Sequence, residues 1–300
     1  IIDIIRSANN DGANSAKARS FVKKASAKTG STLEVLPFSV AEGTKSATVK
    51  LDLINPGEEI TAFQCDVVFP EGIAWASTVD RRGNKKYTQP VFDAEADRTD
   101  GNYHKVDVGE NANGTMNIIV YSMEQEIFWG EEGTVLDMPF VFDENLEPGV
   151  YDIKLTNITV TNTDKVGTKP ADYTFSILVG SPSPEIASVN LHGNITAQVI
   201  EDYNEALKNN ESVSTIDLSE AANISSDVEF TTGNKNLLIY TAEGMSIKNS
   251  CNVVSGSVCD NLVITDAMPF SALKSFTATN ASYSRPMTNQ WGTIVLPYEV

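Results

Sequence analysis

The feature that most constrains this fold is an alternation of apolar and polar residues between Leu33 and Val179. In SATVKLDLI (46–54) every second residue is apolar, and ITAFQCDVVF (60–69) and ADYTFSILV (171–179) show the same period. Because successive side chains of a strand point to opposite faces of a sheet, this period predicts strands with one buried face. Turn signals such as NPGEE, PEG, ANGT and EPG separate the runs. The pattern predicts an antiparallel jelly-roll β-sandwich over residues 31–180.

One of these strands changes phase. In YDIKLTNITV (151–160) the apolar positions keep a period of two as far as Leu155 and resume one residue out of step at Ile158. An extra residue on one strand of a pair produces such a shift, because two residues then lie opposite one. The sequence therefore predicts a β-bulge at Asn157.

The flanking segments have a different pattern. Residues 1–30 are rich in helix formers and basic residues, and they predict a short helical segment with Ile2, Ile5, Phe21 and Val22 on one stripe. Residues 181–186 contain two prolines and small polar residues, which predict a linker. Residues 187–300 are then predicted to form a second, β-rich domain.

That second domain is entered through a helix. The stretch ITAQVIEDYNEALKNN (195–210) carries four apolar residues at the spacing of an amphipathic helix, namely Val199, Ile200, Tyr203 and Leu207. After it, short β segments such as STIDLSEA, NLLIYT and NLVITD are each cut off by Gly, Asn or Asp. Such spacing suits either a small β-solenoid or an irregular sandwich.

Charge limits the possible partners. The 300 residues include 22 Lys plus Arg against 40 Asp plus Glu, and the formal net charge is −18. A negative field of this size repels phosphate backbones, so no nucleic-acid partner is expected. The sequence contains no apolar run near the roughly 20 residues that a membrane-spanning helix needs, so the chain is not expected to span a membrane.

The motifs of known catalytic chemistries are missing from the sequence. The two histidines, His104 and His192, are far apart, and there is no HExxH, CxxC, GxSxG or phosphate-binding loop. We expect His104 on the surface and Cys65 in the core of the sandwich, because Cys65 shares the apolar face of its strand. No catalytic, cofactor-binding or metal-binding residue is predicted, and the chain is not expected to be an enzyme.

Carboxylates offer the competing hypothesis of a glycoside hydrolase, which needs two of them across a cleft. The candidates are Asp93, Glu95, Asp97, Asp100, Glu124, Glu126, Glu131 and Glu132. In so acidic a chain we expect these to be solvated loop charges. The stretch DAEADRTDG (93–101) also suggests calcium, but only Asp100 and Asp107 fall on ligand positions of an EF-hand loop.

Aromatic residues near turns are the candidate ligand-binding residues. Phe128 and Trp129 lie in a turn-like stretch, and Tyr87 and Tyr103 flank polar loops. An exposed ring can stack on the apolar face of a sugar, whereas a buried ring closes the end of a sandwich core. Among the three cysteines, Cys251 and Cys259 are close enough in sequence to form a disulfide.

Three segments together resemble a known family. The first is INPGEEITAFQCDVVFPEGI, and the last is PGVYDIKLTNITVT. Between them lies HKVDV, which is followed by NIIVYSMEQEIFWGEEGTVLDMPFVF. In order and spacing they resemble the cohesin-like modules of secreted proteins from anaerobic gut-type bacteria. The resemblance covers about residues 31–180. It implies a jelly roll of about nine strands, related in fold to carbohydrate-binding modules. Cohesins proper bind dockerin modules through one sheet face, whereas this chain resembles the looser relatives, which have no assigned partner.

Both ends of the chain carry further resemblances. The start, IIDIIRSA, resembles the end of the second helix of a dockerin, in which Asp3 would be the last calcium ligand of a loop otherwise missing here. The segments from NLLIYT to GTIVLPYEV resemble a C-terminal region of large secreted proteins, which normally continues further. We therefore expect sequence beyond both ends.

The leading hypothesis is a non-catalytic, exported protein of the cell surface or extracellular space. Its sandwich would act in protein–protein adhesion or as a scaffold or spacer, with a dockerin-like module as partner. The alternatives are a carbohydrate-binding module with a polysaccharide ligand and, third, a glycoside hydrolase. No cofactor is predicted.

Overall fold

The structure, a computed structural model, describes residues 30–99, 102–248, 252–266 and 268–285. The predicted N-terminal helical segment, except Gly30, lies outside the described residues, as do Asp3, Asp100, Cys251 and the GTIVLPYEV stretch.

The first part of the described chain is built of β-strands. They are β1 (Thr32–Glu34), β2 (Phe38–Val40), β3 (Ser46–Ile54), β4 (Ile60–Val68), β5 (Ile73–Trp75), β6 (Ser77–Val79), β7 (Lys85–Tyr87), β8 (Val91–Phe92), β9 (His104–Glu110), β10 (Met116–Ser122), β11 (Thr134–Phe142), β12 (Gly149–Asn162), β13 (Gly167–Thr168) and β14 (Tyr173–Val179).

These strands form two packed sheets and a hairpin. The smaller sheet has the order β1-β3-β11-β5, with β8 also paired to β11. The larger sheet has the order β2-β14-β12-β4-β10-β9, with β13 paired to β12, and β6 pairs with β7. All these pairs are antiparallel except β2–β14. The predicted antiparallel β-sandwich is therefore confirmed.

The inward rows of the two sheets form one hydrophobic core. Alternate residues of β3 and β4 point into it, including Leu51, Leu53, Phe63 and Cys65. Trp75 of β5 is also buried, and its indole N–H donates to the carbonyl of Thr88 at 2.8 Å. The period of two in the sequence thus corresponds to burial on one face of each sheet.

The predicted bulge is present. The pairing of β12 with β4 shifts register between Thr156 and Thr159, and Asn157 has a φ of 51°. Asparagine adopts this left-handed conformation more readily than most residues with a side chain. The bulge lets one long strand keep its apolar residues inward on both sides of the irregularity.

Two side chains expected at the surface are buried. His104 was predicted to be exposed, but it is only 1% exposed, and its ring centroid lies 4.4 Å from that of Phe128. As the first residue of β9, His104 shares the inward phase of Val106 and Val108, which also pack on the core. Asp93, predicted to be a solvated charge, is likewise buried, and its Oδ1 accepts the backbone N–H of Glu95 and of Ala96.

Arg98 ties together one end of the sandwich. Its guanidinium donates to the carbonyls of Leu53, Trp129, Gly130 and Gly133 and to Oδ1 of Asn55. The backbone N–H of Trp129 in turn donates to the Arg98 carbonyl at 2.8 Å. This one side chain therefore satisfies acceptors at the end of β3, in the β3–β4 connection and in the β10–β11 connection.

We predict that Arg98→Ala lowers the free energy of unfolding by about 3 kcal/mol, because it leaves buried acceptors without donors. Urea unfolding followed by tryptophan fluorescence measures this change. Arg82→Ala, at an exposed turn position, is the control and should stay within about 0.5 kcal/mol of the parent protein. Equal effects of the two substitutions would contradict the role given to Arg98.

The second part of the described chain contains one helix and eight strands. They are β15 (Ser188–Asn190), β16 (Gly193–Ile195), α1 (Ala197–Leu207), β17 (Thr215–Leu218), β18 (Ala221–Ile224), β19 (Leu238–Thr241), β20 (Val253–Ser255), β21 (Val258–Thr265) and β22 (Thr277–Ser284).

Parallel pairing gives this part the character of a short solenoid. Strands β15, β17, β19 and β20 lie side by side in parallel, with Val189, Ile216, Ile239 and Val253 in register. Buried asparagines bond to the backbone of the connecting turns: Asn236 accepts from Thr265 N–H at 2.7 Å and donates to the carbonyls of Thr265 and Met268. Of the two predicted alternatives, the structure favours the solenoid.

The predicted amphipathic helix is confirmed as α1. Thr196 caps it, because its hydroxyl accepts the backbone N–H of Val199 at 3.3 Å. The four apolar residues of the predicted stripe are all buried. Tyr203 donates its hydroxyl to the carbonyl of Ser176 in β14 at 3.0 Å, so the helix is bonded to the sandwich. No helix in the described part of the chain is long and apolar enough to cross a membrane.

A charged contact also joins the two parts. His192 lies with Nδ1 3.1 Å from Oδ2 of Asp152 in β12 and with Nε2 3.1 Å from Oε2 of Glu220. The carboxylate of Asp152, 3.1 Å from Nδ1, raises the pKa of His192, and Glu220 raises it further. Burial opposes the ionisation of Asp152, but hydrogen bonds from His192 and Ser176 outweigh it and lower the pKa of Asp152.

This contact predicts a pH-dependent stability. The contribution of His192 is complete below its ordinary pKa of 6.5 and is lost as the pH rises through the raised pKa of the folded state. We expect Tm to fall as the pH rises from about 5 to about 9, and this fall should be absent in His192→Gln. Thermal unfolding across this pH range measures the change. The substitution leaves His104 as the sole histidine, so an unchanged pH profile in His192→Gln would contradict this assignment.

Candidate functional site

The candidate site is the outward side of β9, β10, β4 and β12 in the larger sheet, which we call the open face. The register of these strands arranges its side chains in rows across the sheet. The rows are Gly109–Asn117–Asp66–Thr156, then Asp107–Ile119–Gln64–Thr159, then Lys105–Tyr121–Ala62–Thr161.

The larger sheet is covered at β14. Beyond β12, the outward Ser176 of β14 is fully buried, and the outward Leu178 packs in the hydrophobic cluster of the second part. On the open face, in contrast, every outward side chain of the three rows except Asp66 is exposed or half-buried. The open face is therefore more accessible than the portion of this sheet at β14.

Apolar groups lie at its centre. Ile119 of β10 is 39% exposed and sits between Gln64 and Asp107 in the middle row. In the adjacent row Tyr121 donates its hydroxyl to Oδ2 of Asp107 at 3.2 Å. An exposed aliphatic and an aromatic ring surrounded by polar side chains have the composition of a protein–protein contact surface.

Asp66 fixes the polar part of the face. Its Oδ1 accepts Nδ2 of Asn117 at 2.8 Å and of Asn111 at 3.0 Å, and its Oδ2 accepts Nδ2 of Asn157 at 2.7 Å. Burial opposes ionisation, but these three donors outweigh it and hold the pKa of Asp66 below its ordinary value. The carboxylate thus connects the bulge of β12 to β10 and to the β9–β10 turn.

Chemically, this face is suited to binding. Its exposed charges, Lys105, Asp107 and Lys154, have mixed sign. The larger sheet offers no thiol nucleophile, because Cys65 points into the core and burial raises the pKa of its thiol to about 12. Among the described residues, no group of three or more His, Cys, Asp and Glu side chains is placed to hold a metal ion.

The aromatic candidates from the sequence lie elsewhere. Trp129 is 40% exposed and Tyr103 is 39% exposed, both in connections at the end of the sandwich. Tyr87, in β7, is half-buried and donates its hydroxyl to Glu110. Phe128 is only 1% exposed, with its ring centroid 5.5 Å from that of Phe63, so it is a core residue and cannot contact a ligand.

The sequence also predicted a disulfide between Cys251 and Cys259. Cys259 is buried in a small hydrophobic cluster with Leu238, Tyr240 and Val254. Because Cys251 lies outside the described residues, the Cys251–Cys259 disulfide stays a prediction.

Sequence reasoning missed the central residues of the open face, although a signal was present. In NIIVYS (117–122) apolar residues occupy both phases of the strand. Since Ile118 and Val120 fill the core, Ile119 and Tyr121 have to point outward. Asp66 and Arg98 gave no comparable signal, because their partners are distant in sequence.

No family model matches the chain, and no curated protein sequence matches it. Solved structures with similarity to it include the seventh ScaB type I cohesin from Pseudobacteroides cellulosolvens, with 12% identity and a TM-score of 0.36 over 52% of this chain and 95% of that chain. A non-cellulosomal cohesin from the archaeon Archaeoglobus fulgidus has 12% identity and a TM-score of 0.33 over 50% and 92%.

A third is the sixth cohesin of scaffoldin B from Acetivibrio cellulolyticus, in complex with a variant Cel5 dockerin. It has 10% identity and a TM-score of 0.38 over 50% of this chain and 99% of that chain. These three structures are cohesins, the family that the sequence resembles. Each likeness covers about half of this chain and concerns its fold alone.

We predict that Asp66→Ala lowers the free energy of unfolding by about 2 kcal/mol, because three amide donors lose their acceptor. Gln64→Ala, two residues away on the same outward face, is the matched control and should cost less than about 0.5 kcal/mol. Urea unfolding compares the two variants. If Asp66→Ala were as stable as Gln64→Ala, the three hydrogen bonds would not organise this face.

Proposed function

We propose that this protein is a non-catalytic binding module that recognises another protein through its open face. The observation that carries the proposal is the exposed Ile119 and the half-buried Tyr121 at the centre of an otherwise polar, accessible sheet face. Burying such apolar groups against a partner is favourable, and the surrounding polar groups provide specificity.

The shape of the face favours a macromolecular partner. Strands about 4.8 Å apart and same-face residues about 6.8 Å apart make the face roughly 20 Å on each side. Small-molecule sites are typically concave, whereas this face is a sheet surface.

A dockerin-like module, the kind of partner that cohesins proper bind, is the first probe. In this proposal the protein is exported and acts at the cell surface or outside the cell, in adhesion or as part of a scaffold. A net charge of −18 favours a neutral or basic partner surface.

Ile119→Lys tests the role of the face. We expect it to weaken binding of a recognised dockerin at least tenfold, about 1.4 kcal/mol, because a charge replaces the central apolar contact. Surface plasmon resonance with a panel of purified dockerin modules measures the affinity. The matched control is Val91→Lys, which changes an exposed aliphatic residue on the smaller sheet and should leave the affinity unchanged.

Two results would contradict the proposal. One is a dockerin that binds the parent and Ile119→Lys equally but loses affinity for Val91→Lys. The other is binding of a polysaccharide on a glycan array that Trp129→Ala abolishes and Ile119→Lys leaves intact. The exposed rings of Trp129 and Tyr103 are the observation behind this carbohydrate-binding alternative. If the protein binds neither a dockerin of the panel nor a glycan of the array, the remaining hypothesis is that it acts as a spacer.

A further inference from the structure

The hairpin formed by β6 and β7 concentrates positive charge on an acidic protein. Four of the 22 basic residues of the chain lie within six consecutive positions of this hairpin, and all four are exposed, namely Arg81, Arg82, Lys85 and Lys86. Because the whole chain has a formal net charge of −18, residues 77–87 form a local surface of the opposite sign. We call them the basic hairpin.

The turn of the basic hairpin is fixed by the one acidic residue within it. Oδ1 of Asp80 accepts the backbone N–H of Arg82 at 2.7 Å and that of Asn84 at 2.9 Å. The positive charges beside this turn are available to a partner. In the part of the chain that the structure describes, Arg81, Arg82 and Lys86 form no ion pair.

A surface of negative charge lies in the β10–β11 connection. Residues 123–133, which we call the acidic connection, contain no basic residue and four glutamates, namely Glu124, Glu126, Glu131 and Glu132. None of these four carboxylates forms an ion pair with another described residue. Both surfaces therefore carry charges that are not compensated within the described molecule.

The two surfaces lie at opposite ends of the β9–β10 pair. The basic hairpin contacts the last residue of β9, because Tyr87 donates its hydroxyl to Glu110 and Nζ of Lys85 lies 3.8 Å from Oε2 of Glu110. At the other end of the pair His104 lies opposite Ser122, and the acidic connection begins at the next residue. Strands of seven residues separate the two ends by roughly 20 Å.

Each surface also presents an exposed apolar side chain. Met123, the first residue of the acidic connection, is 79% exposed, and Val79 of the basic hairpin is 71% exposed. These are the two most exposed large hydrophobic side chains in the described part of the chain. Interfaces between proteins bury apolar side chains within a polar rim. The combination of charge with an exposed aliphatic residue therefore favours a protein partner for the basic hairpin.

We propose that the basic hairpin of one copy of this chain docks on the acidic connection of a second copy. The arginines and lysines of the hairpin then face the four glutamates, and Val79 and Met123 supply apolar contact area. The overall negative charge makes copies repel each other in most orientations, so this pairing of opposite charges selects one orientation.

The proposed contact joins two different surfaces. Each copy in a docked pair keeps one unused surface, a basic hairpin at one end of the pair and an acidic connection at the other. Contacts of this head-to-tail kind add further copies instead of stopping at a symmetric dimer. The average mass of the assembly is therefore expected to keep rising with protein concentration.

Sedimentation velocity of the 300-residue protein tests this inference, over a concentration series at low ionic strength, where exposed charges are screened least. Arg81→Glu combined with Arg82→Glu should weaken self-association roughly tenfold or more, because like charges then face each other. The matched control is Lys165→Glu combined with Lys169→Glu. It changes the net charge equally at exposed positions on either side of β13 and should alter the association less than about twofold.

Reversing the acidic connection separates this contact from overall repulsion. Glu131→Lys combined with Glu132→Lys changes the charge by two units per substitution and takes the formal net charge from −18 to −14. Repulsion between copies falls, yet this variant should also lose its self-association. A mixture of the two reversed variants should associate again, because opposite charges face each other once more.

Four results would overturn the inference. The first is a parent protein that stays monomeric at every concentration, and the second is a hairpin variant that associates as the parent does. The third is an equal loss in the Lys165 and Lys169 control, which would assign the effect to net charge. The fourth is a mixture of the two reversed variants that does not associate.

Discussion

The structure depends on the packing of two inward rows of apolar side chains, one from each sheet of the sandwich. Leu51 and Leu53 of β3 face Phe63 and Cys65 of β4 across a single core. Because side chains alternate along a strand, filling the core leaves the opposite residues pointing outward. This constraint supplies the open face: burying Ile118 and Val120 fixes Ile119 and Tyr121 on the accessible side.

The sequence was sufficient where the signal was local. The period of two predicted the sandwich, a phase shift located the bulge at Asn157, and a helical stripe predicted α1. It failed where burial depended on contacts distant in the chain. His104 and Phe128 lie in polar or turn-like stretches, yet each fills the end of the core against the other. Asp93 and Arg98 are charged residues buried with partners distant in the chain, Lys50 for Asp93 and Asn55 for Arg98.

The candidate site was predictable only in outline. The sequence led to the hypothesis that the sandwich binds another protein, but no residue of the open face was identified in advance. Three asparagines from separate segments converge on Asp66, and only strand register brings them together. The second part also matters to the site, because its contacts with β14 and its helix cover neighbouring surfaces and leave β9, β10, β4 and β12 accessible.

Hydroxyl-radical footprinting of the protein with a bound partner tests the central claim most directly, because it reports side-chain accessibility within strands whose amides are already hydrogen-bonded. Binding through the open face predicts that oxidation of Ile119 and Tyr121 falls on complex formation while that of Trp129 and Val91 is unchanged. Protection of Trp129 or Val91 with Ile119 and Tyr121 still fully reactive would contradict the account.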